Sequence, residues 1–343
     1  MRVTYDPRCA EHLTGPGHPE RPQRVAAFVS GLEAGGCLRD RFELAHPAVL
    51  GDILAVHDSG YVSAVARYCE SIADDGSVAE LPTGDTNVGH SSFDIALHAA
   101  GVVLDAALEA RPGAPTLAVA RPPGHHAAPQ RGMGFCIFNS VAVAAQKLRA
   151  AGGPVLIADF DYHHGNGTQV WVENAMDDGD ARIGFVSTHA YPAYPGTGAF
   201  AESRVADGGF VVDVPLPVTT ITDDFVAVWA TLLPVIASSF RPASIIVSAG
   251  FDFLTGDPIA GLPVSARAVD SLCGLFGHVA DECGASLCFV LEGGYSLENM
   301  TASGLSLARD FGSASGEVHV PVSALPASPR LREIVTETLT WFA

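Results

Sequence analysis

The chain has 343 residues, of which 48% are hydrophobic and 17% charged, the profile of a compact folded enzyme rather than a disordered or fibrous chain. Its formal charge of −19 repels phosphate backbones, which argues against nucleic acid as a direct partner and suits a cationic substrate or basic peptide. Seven cysteines without C-x-x-C spacing, an N-terminus lacking an apolar signal core and no apolar run of membrane-spanning length predict a reduced, cytoplasmic protein with no membrane association.

In chain order, the first local signal is His18-Pro19-Glu20-Arg21-Pro22, a helix-start pattern. Asp85 falls in the turn-like stretch Leu81-Pro82-Thr83-Gly84-Asp85-Thr86-Asn87. Helical spacing then covers residues 91–109, 141–150, 223–237 and 266–283. Between these stretches lie short apolar runs at 116–120, 155–158, 183–186, 244–247 and 286–291, of the length of buried parallel strands. Strands alternating with helices predict βαβ units, a mostly parallel sheet covered on both faces, and one α/β domain over residues 1–343.

The ends of four of these runs carry unusual residues. Arg121-Pro122-Pro123-Gly124-His125-His126 follows the first, and Asp159-Phe160-Asp161-Tyr162-His163-His164-Gly165-Asn166-Gly167 the second. Ser248-Ala249-Gly250-Phe251-Asp252 and Glu292-Gly293-Gly294-Tyr295 follow the last two. In open α/β sheets ligands bind beyond the carboxyl ends of the strands, so four such ends mark an active site. A lone Asp or His there is more often a cap or a satisfied polar contact; several together favour a metal.

Extended-chain alternation sends Asp161 and His163 to one side. With Asp252 they make an Asp₂His set that leaves a zinc position open. The tandem His125-His126 suits acid–base work near neutral pH. Tyr295, after two permissive glycines, could donate to a developing oxyanion.

These motifs, with Gly134-Phe135-Cys136-Ile137-Phe138-Asn139, resemble the histone deacetylase and acetylpolyamine amidohydrolase superfamily. Asn166 gives the closer match to class II-like members, because class I members have Asp there. The resemblance spans residues 18 to about 307 and implies the arginase/deacetylase fold, with a parallel sheet of about eight strands. It implies one Zn²⁺ on Asp161, His163 and Asp252, His126 as general base and then acid, and His125 as an electrostatic partner held by Asp159. Asn166 orients His126 without adding a charge, and Tyr295 is the oxyanion donor. A structural K⁺ is implied at backbone groups of Asp159, Asp161 and His163 and the Ser187 side chain. The two-manganese chemistry of arginase-like relatives needs carboxylates where this chain has Gly165 and Leu254.

The resemblance also implies a substrate tunnel walled by Gly134, Phe135 and Tyr194, and places Arg24 on an internal acetate-release channel. Ile259 stands where polyamine-selective relatives carry a glutamate. An acyl-lysine or similar acylated amine is therefore the expected substrate, with acetylpolyamines as the alternative. A weakly active acyl-lysine reader is less expected, because Tyr295 is present, and a partner-docking scaffold least.

Overall fold

The computed structural model of the chain describes residues 1–37, 45–179, 182–206, 208–312 and 324–343. The first part contains β1 (Arg2–Tyr5), α1 (Gln23–Ala34), α2 (Leu50–Leu54), α3 (Ser59–Ser71), the hairpin of β2 (Val78–Glu80) with β3 (Asn87–Gly89), and α4 (Ser92–Glu109). Next come β4 (Thr116–Val119), α5 (Ser140–Ala150), β5 (Val155–Asp159), α6 (Asn166–Asp177), β6 (Ile183–Ala190), β7 (Arg204–Ala206) and β8 (Gly209–Leu216). The chain ends with α7 (Thr222–Phe240), β9 (Ser244–Ala249), α8 (Arg267–Cys283), β10 (Ser286–Leu291), α9 (Leu297–Gly312) and α10 (Pro329–Trp341).

Eight strands form one sheet in the order β1-β4-β10-β9-β5-β6-β8-β7. All neighbours are parallel except β7, which runs antiparallel to β8 at the edge. Alternate residues of each strand feed two cores. Leu156, Ala158, Ile245 and Val247 face the layer of α1, α7, α8 and α9, whereas Val155, Ile157 and Ile246 face α4, α5 and α6. The five runs expected as strands and the four helical stretches all form, with ends shifted by a few residues. The short β1 and β7 carry too few residues for a visible period. β8 reads Gly-Phe-Val-Val-Asp-Val-Pro-Leu, and its buried Asp213 and Pro215 interrupt the apolar run.

One expectation is corrected. Helix α7, at 19 residues, is long and apolar enough by length and composition to span a membrane. Its apolarity is spent inside the fold, where Phe225, Val228, Trp229, Leu232, Leu233 and Ile236 pack into the core.

The order of the central strands decides where the chemistry sits. β4, β10, β9 and β5 are consecutive neighbours and run the same way. The four chemically marked segments, far apart in sequence, therefore emerge side by side along one edge of the sheet.

Candidate metal centre and active site

Two phenylalanines steer the loops after β5 and β9. Phe160 and Phe251 are buried against each other with ring centroids 6.0 Å apart, and Phe251 also packs on Phe28. With these rings driven into the core, Asp161, His163 and Asp252 turn the other way. Nδ1 of His163 lies 2.9 Å from Oδ2 of Asp252 and 3.3 Å from Oδ1 of Asp161. Backbone N–H groups orient both carboxylates: His163 and Gly293 donate to Asp161, and Tyr162 donates to Asp252.

This triangle fits a zinc ion. Bonds of about 2.0–2.1 Å in a tetrahedron give ligand–ligand edges of roughly 3.3 Å, close to the spacing between the imidazole and the two carboxylates. The ligand atoms of all three residues lie within 4.8 Å of one another. A Cβ at Gly250 would collide with the Asp161 carboxylate, so glycine is required beside the set. Without the ion, burial opposes a charged His163, yet its contacts with Asp161 and Asp252 push it up to about 10. Burial and the charge of Asp161 raise Asp252 to about 6.

The histidine pair lies beside this centre, with ring centroids 4.0 Å apart. Nδ1 of His125 is 3.1 Å from Oδ2 of Asp159. Burial disfavours its charge, but Asp161 and Asp159 outweigh that and push His125 up to about 10. His126 has the opposite fate: burial and the charges of His125 and His163 hold it well below its ordinary value. Its Nδ1 lies 2.8 Å from Oδ1 of Asn166. An amide oxygen only accepts, so Nδ1 carries the proton and Nε2 is left as the basic nitrogen. Tyr295 is buried, with Arg24 4.7 Å from its ring centre, and its phenol is pushed well above 10 by burial.

The aromatic residues expected to wall a tunnel border this site. Phe135 meets Tyr295 edge to face at 5.9 Å, and Tyr194 meets His126 at 5.2 Å and His163 at 6.0 Å. Gly134 has φ +57°, and a Cβ there would press into the His126 ring, so only glycine lets this wall approach so closely. Asp85 ties the walls together. Its Oδ2 accepts from the Tyr194 hydroxyl at 2.6 Å and its Oδ1 from the Gly134 N–H at 2.7 Å. Ile259 is 41% exposed and offers no charge.

Residues 18–310 match the histone deacetylase domain. The chain belongs to the histone deacetylase family. A probable deacetylase of Archaeoglobus fulgidus is 36% identical over 304 residues, covering 86% of this chain and 81% of the relative. The chloroplastic histone deacetylase 14 of Arabidopsis thaliana is 35% identical over 321 residues, covering 88% and 74%. Among solved structures, the HDA15 HD domain superposes with a TM-score of 0.84 at 29% identity, covering 99% of this chain and 95% of that one. An acetylpolyamine aminohydrolase from Burkholderia pseudomallei gives 0.77 at 28% identity, covering 92% and 100%. The chain is a deacetylase of a zinc-dependent family.

The remaining expected positions in this deacetylase are placed as follows. Leu254 is buried in the core, and a Cβ at Gly165 would run into the Asp159 carboxylate, so neither position offers a ligand for a second ion. Ser187 pairs in register with Asp159 across β5 and β6, and its hydroxyl contacts Nδ1 of His189 at 2.9 Å. A second buried group, His164, His189 and Asp213, also clusters closely enough for a metal. Its ring nitrogens are already engaged: His164 by Thr197, Gln169 and Asp213, and His189 by Ser187 and the Gly198 carbonyl. That cluster is a polar layer behind the site.

Two buried acids support the deacetylase site: Glu292, inside a motif marked in the sequence but given no role there, and Glu20, which carried little signal. Glu292 accepts from the N–H groups of Gly124 (2.7 Å) and His125 (3.2 Å), bracing the histidine loop. Glu20, behind the phenol, takes Arg24 and Arg121 on one oxygen, each at 2.8 Å. Arg24 also donates to the carbonyls of Gly294 and Glu292. The helix-start reading of Pro19-Glu20 missed this; the only hint was an acid flanked by prolines and arginines.

Proposed function

We propose that this deacetylase hydrolyses acetyl or similar acyl groups from acyl-lysine-like amines. In this reading Asp161, His163 and Asp252 hold one zinc ion per chain. A structural K⁺ sits at backbone groups of Asp159, Asp161 and His163 with the Ser187 side chain, and residues 1–343 act as one catalytic domain in the cytoplasm. The observation carrying it is the meeting of a buried Asp₂His set with a buried His126 held at Nδ1 by Asn166 and a buried phenol.

A zinc ion at that set supplies Lewis acidity, polarising the acyl carbonyl and making water acidic. His126, steered through Nδ1 by Asn166, presents Nε2 to take the proton of the attacking water. The Tyr295 hydroxyl donates to the oxyanion that develops as the carbon–oxygen bond forms. The same nitrogen of His126 then returns its proton to the amine as the carbon–nitrogen bond breaks, leaving a carboxylate and a free amine. His125 and Asp159 form a fixed ion pair beside it. Phe135 and Tyr194 supply flat faces for an unbranched methylene stem.

One observation favours an acetylpolyamine as second reading. Ile259 brings no charge to the mouth, but the Asp85 carboxylate lies there on another loop. Both its oxygens are engaged by the protein, which supports the acyl-lysine reading over capture of a distal ammonium. Turnover of an acetyl-lysine peptide against N-acetylputrescine, with metal analysis separating zinc from ferrous iron, tests the proposal. A strong preference for the diamine overturns the substrate, and chelator-insensitive activity overturns the mechanism.

A further inference from the structure

Asp257 lies five residues past Asp252 and is 7% exposed. Its carboxylate accepts four backbone N–H bonds. Oδ2 takes those of Tyr295 at 2.7 Å and Ser296 at 3.0 Å, and Oδ1 takes those of Ile259 at 3.0 Å and Ala260 at 3.3 Å. The two pairs come from different parts of the site. One belongs to the loop that presents Ile259 at the mouth, and the other to the link between β10 and α9 that bears the phenol.

The backbone of that link is conformationally permissive. Gly293 and Gly294 precede Tyr295, and Gly294 has φ +115°, a conformation open to glycine alone. Gly293 is pinned by its N–H bond to Asp161 and by the Phe251 N–H on its carbonyl, and the Gly294 carbonyl accepts from Arg24; the carboxylate of Asp257 is the anchor on the N–H of Tyr295 itself. An ionised acceptor taking several N–H groups holds more strongly than neutral bonds do, and it lies at the start of α9, where negative charge is favoured.

We infer that Asp257 is a positioning residue for the Tyr295 hydroxyl, and that it joins the placement of this phenol to the loop carrying Ile259. The inference rests on the reading of Tyr295 as oxyanion donor. Asp257 touches neither substrate nor metal ligand side chain through these bonds; it acts through the backbone of Tyr295. Loss of the anchor lets the hydroxyl drift from the developing charge, and misplacement by about 1 Å can cost about 10²-fold in rate.

The test is a double-mutant cycle on the zinc-loaded protein with an acetyl-lysine peptide, using Asp257→Asn, Tyr295→Phe and the pair. Asp257→Asn should lower kcat by about 10- to 10²-fold with KM changed less than about 3-fold. Zinc content should stay at the wild-type level. In the Tyr295→Phe background the same change should cost less than about 2-fold, because the group it positions is gone. Equal losses in both backgrounds, or no loss in the wild type, overturn the inference. Should Asp257→Asn fail to fold, Asp257→Glu keeps the charge on a longer arm; a smaller kcat loss, again absent in the Tyr295→Phe background, supports the inference and an additive one refutes it. If Tyr295→Phe alone keeps wild-type kcat, the oxyanion reading itself fails and takes this inference with it.

Discussion

Two buried charge clusters lie within one fold, and they are built on opposite principles. Around Glu20 a single carboxylate meets two guanidinium groups, whose remaining donors reach the carbonyls of Cys9, His12, Gly294 and Glu292. Despite complete burial, Arg121 and Arg24 hold Glu20 down to about 2. Around the metal centre Asp159, Asp161, Asp252 and Glu292 crowd together, opposed mainly by the histidines His125 and His163. There burial wins for three of the acids: Asp159 is raised, Asp252 rises to about 6 and Glu292 to about 7. A cluster whose carboxylate is bound by guanidinium groups, with their remaining donors on backbone carbonyls, is a structural brace. One with surplus negative charge, shaped ligand spacing and glycine contacts is built to receive a cation.

Removing a ligand should give the largest effect. Asp252→Ala is expected to purify largely without zinc and to lose more activity than the about 10–100-fold typical of groups supporting a ligand. Metal analysis beside turnover checks it; a zinc-replete, active variant would break the contrast between the clusters.

Next in size are the groups that act on the substrate. His126→Ala should cost about 10²–10⁴-fold in kcat and Tyr295→Phe about 10²–10³-fold, both with zinc retained. Near-wild-type turnover in both would sink the mechanism.

The brace should respond in stability. Glu20→Gln strands two buried guanidinium groups and is expected to destabilise by about 3–5 kcal/mol in denaturant titrations. Its pH dependence follows from the depressed value. Glu20 in the folded state sits at about 2, against an ordinary 4.5, so its contribution of about 3 kcal/mol is fully present above roughly pH 4.5. That contribution fades as the pH falls toward 2, and the wild type should show this acid-limb loss while Glu20→Gln does not. A flat difference between the two across that range would remove the ion pair from the account.

The smallest effect belongs at the rim. Tyr194→Phe keeps the flat wall and deletes only the hydroxyl bonded to Asp85, a half-exposed bond of about 1 kcal/mol. A change in kcat/KM of less than about 10-fold is expected. A far larger one would show that the tie between the walls governs entry to the site.

Much of the site was legible along the chain because its residues cluster in short motifs. Asp161 and His163 are two apart on an extended segment, His125 and His126 are adjacent, and each group follows an apolar run of strand length. The helices covering the sheet were visible where their apolar spacing was long, as in α4 and α7. Supporting residues were harder to see. Asp257 looks like an ordinary turn acid before proline, and Glu20 like a helix-start acid, because the partners that give them a role, the Tyr295 N–H 38 positions from Asp257 and Arg121 101 positions from Glu20, are distant in the chain.

Residue type and short-range spacing, read from the sequence by themselves, determined the kinds of chemistry available: two carboxylates and an imidazole for a cation, a histidine pair, a phenol after two glycines. Only the tertiary structure decided that β4, β10, β9 and β5 lie side by side, that Phe160 and Phe251 turn the ligand side chains toward each other, and which buried acids are neutralised by arginine. Strand order and burial are properties of the whole packed chain. They set the distances and the local dielectric on which the charge of every one of these groups depends.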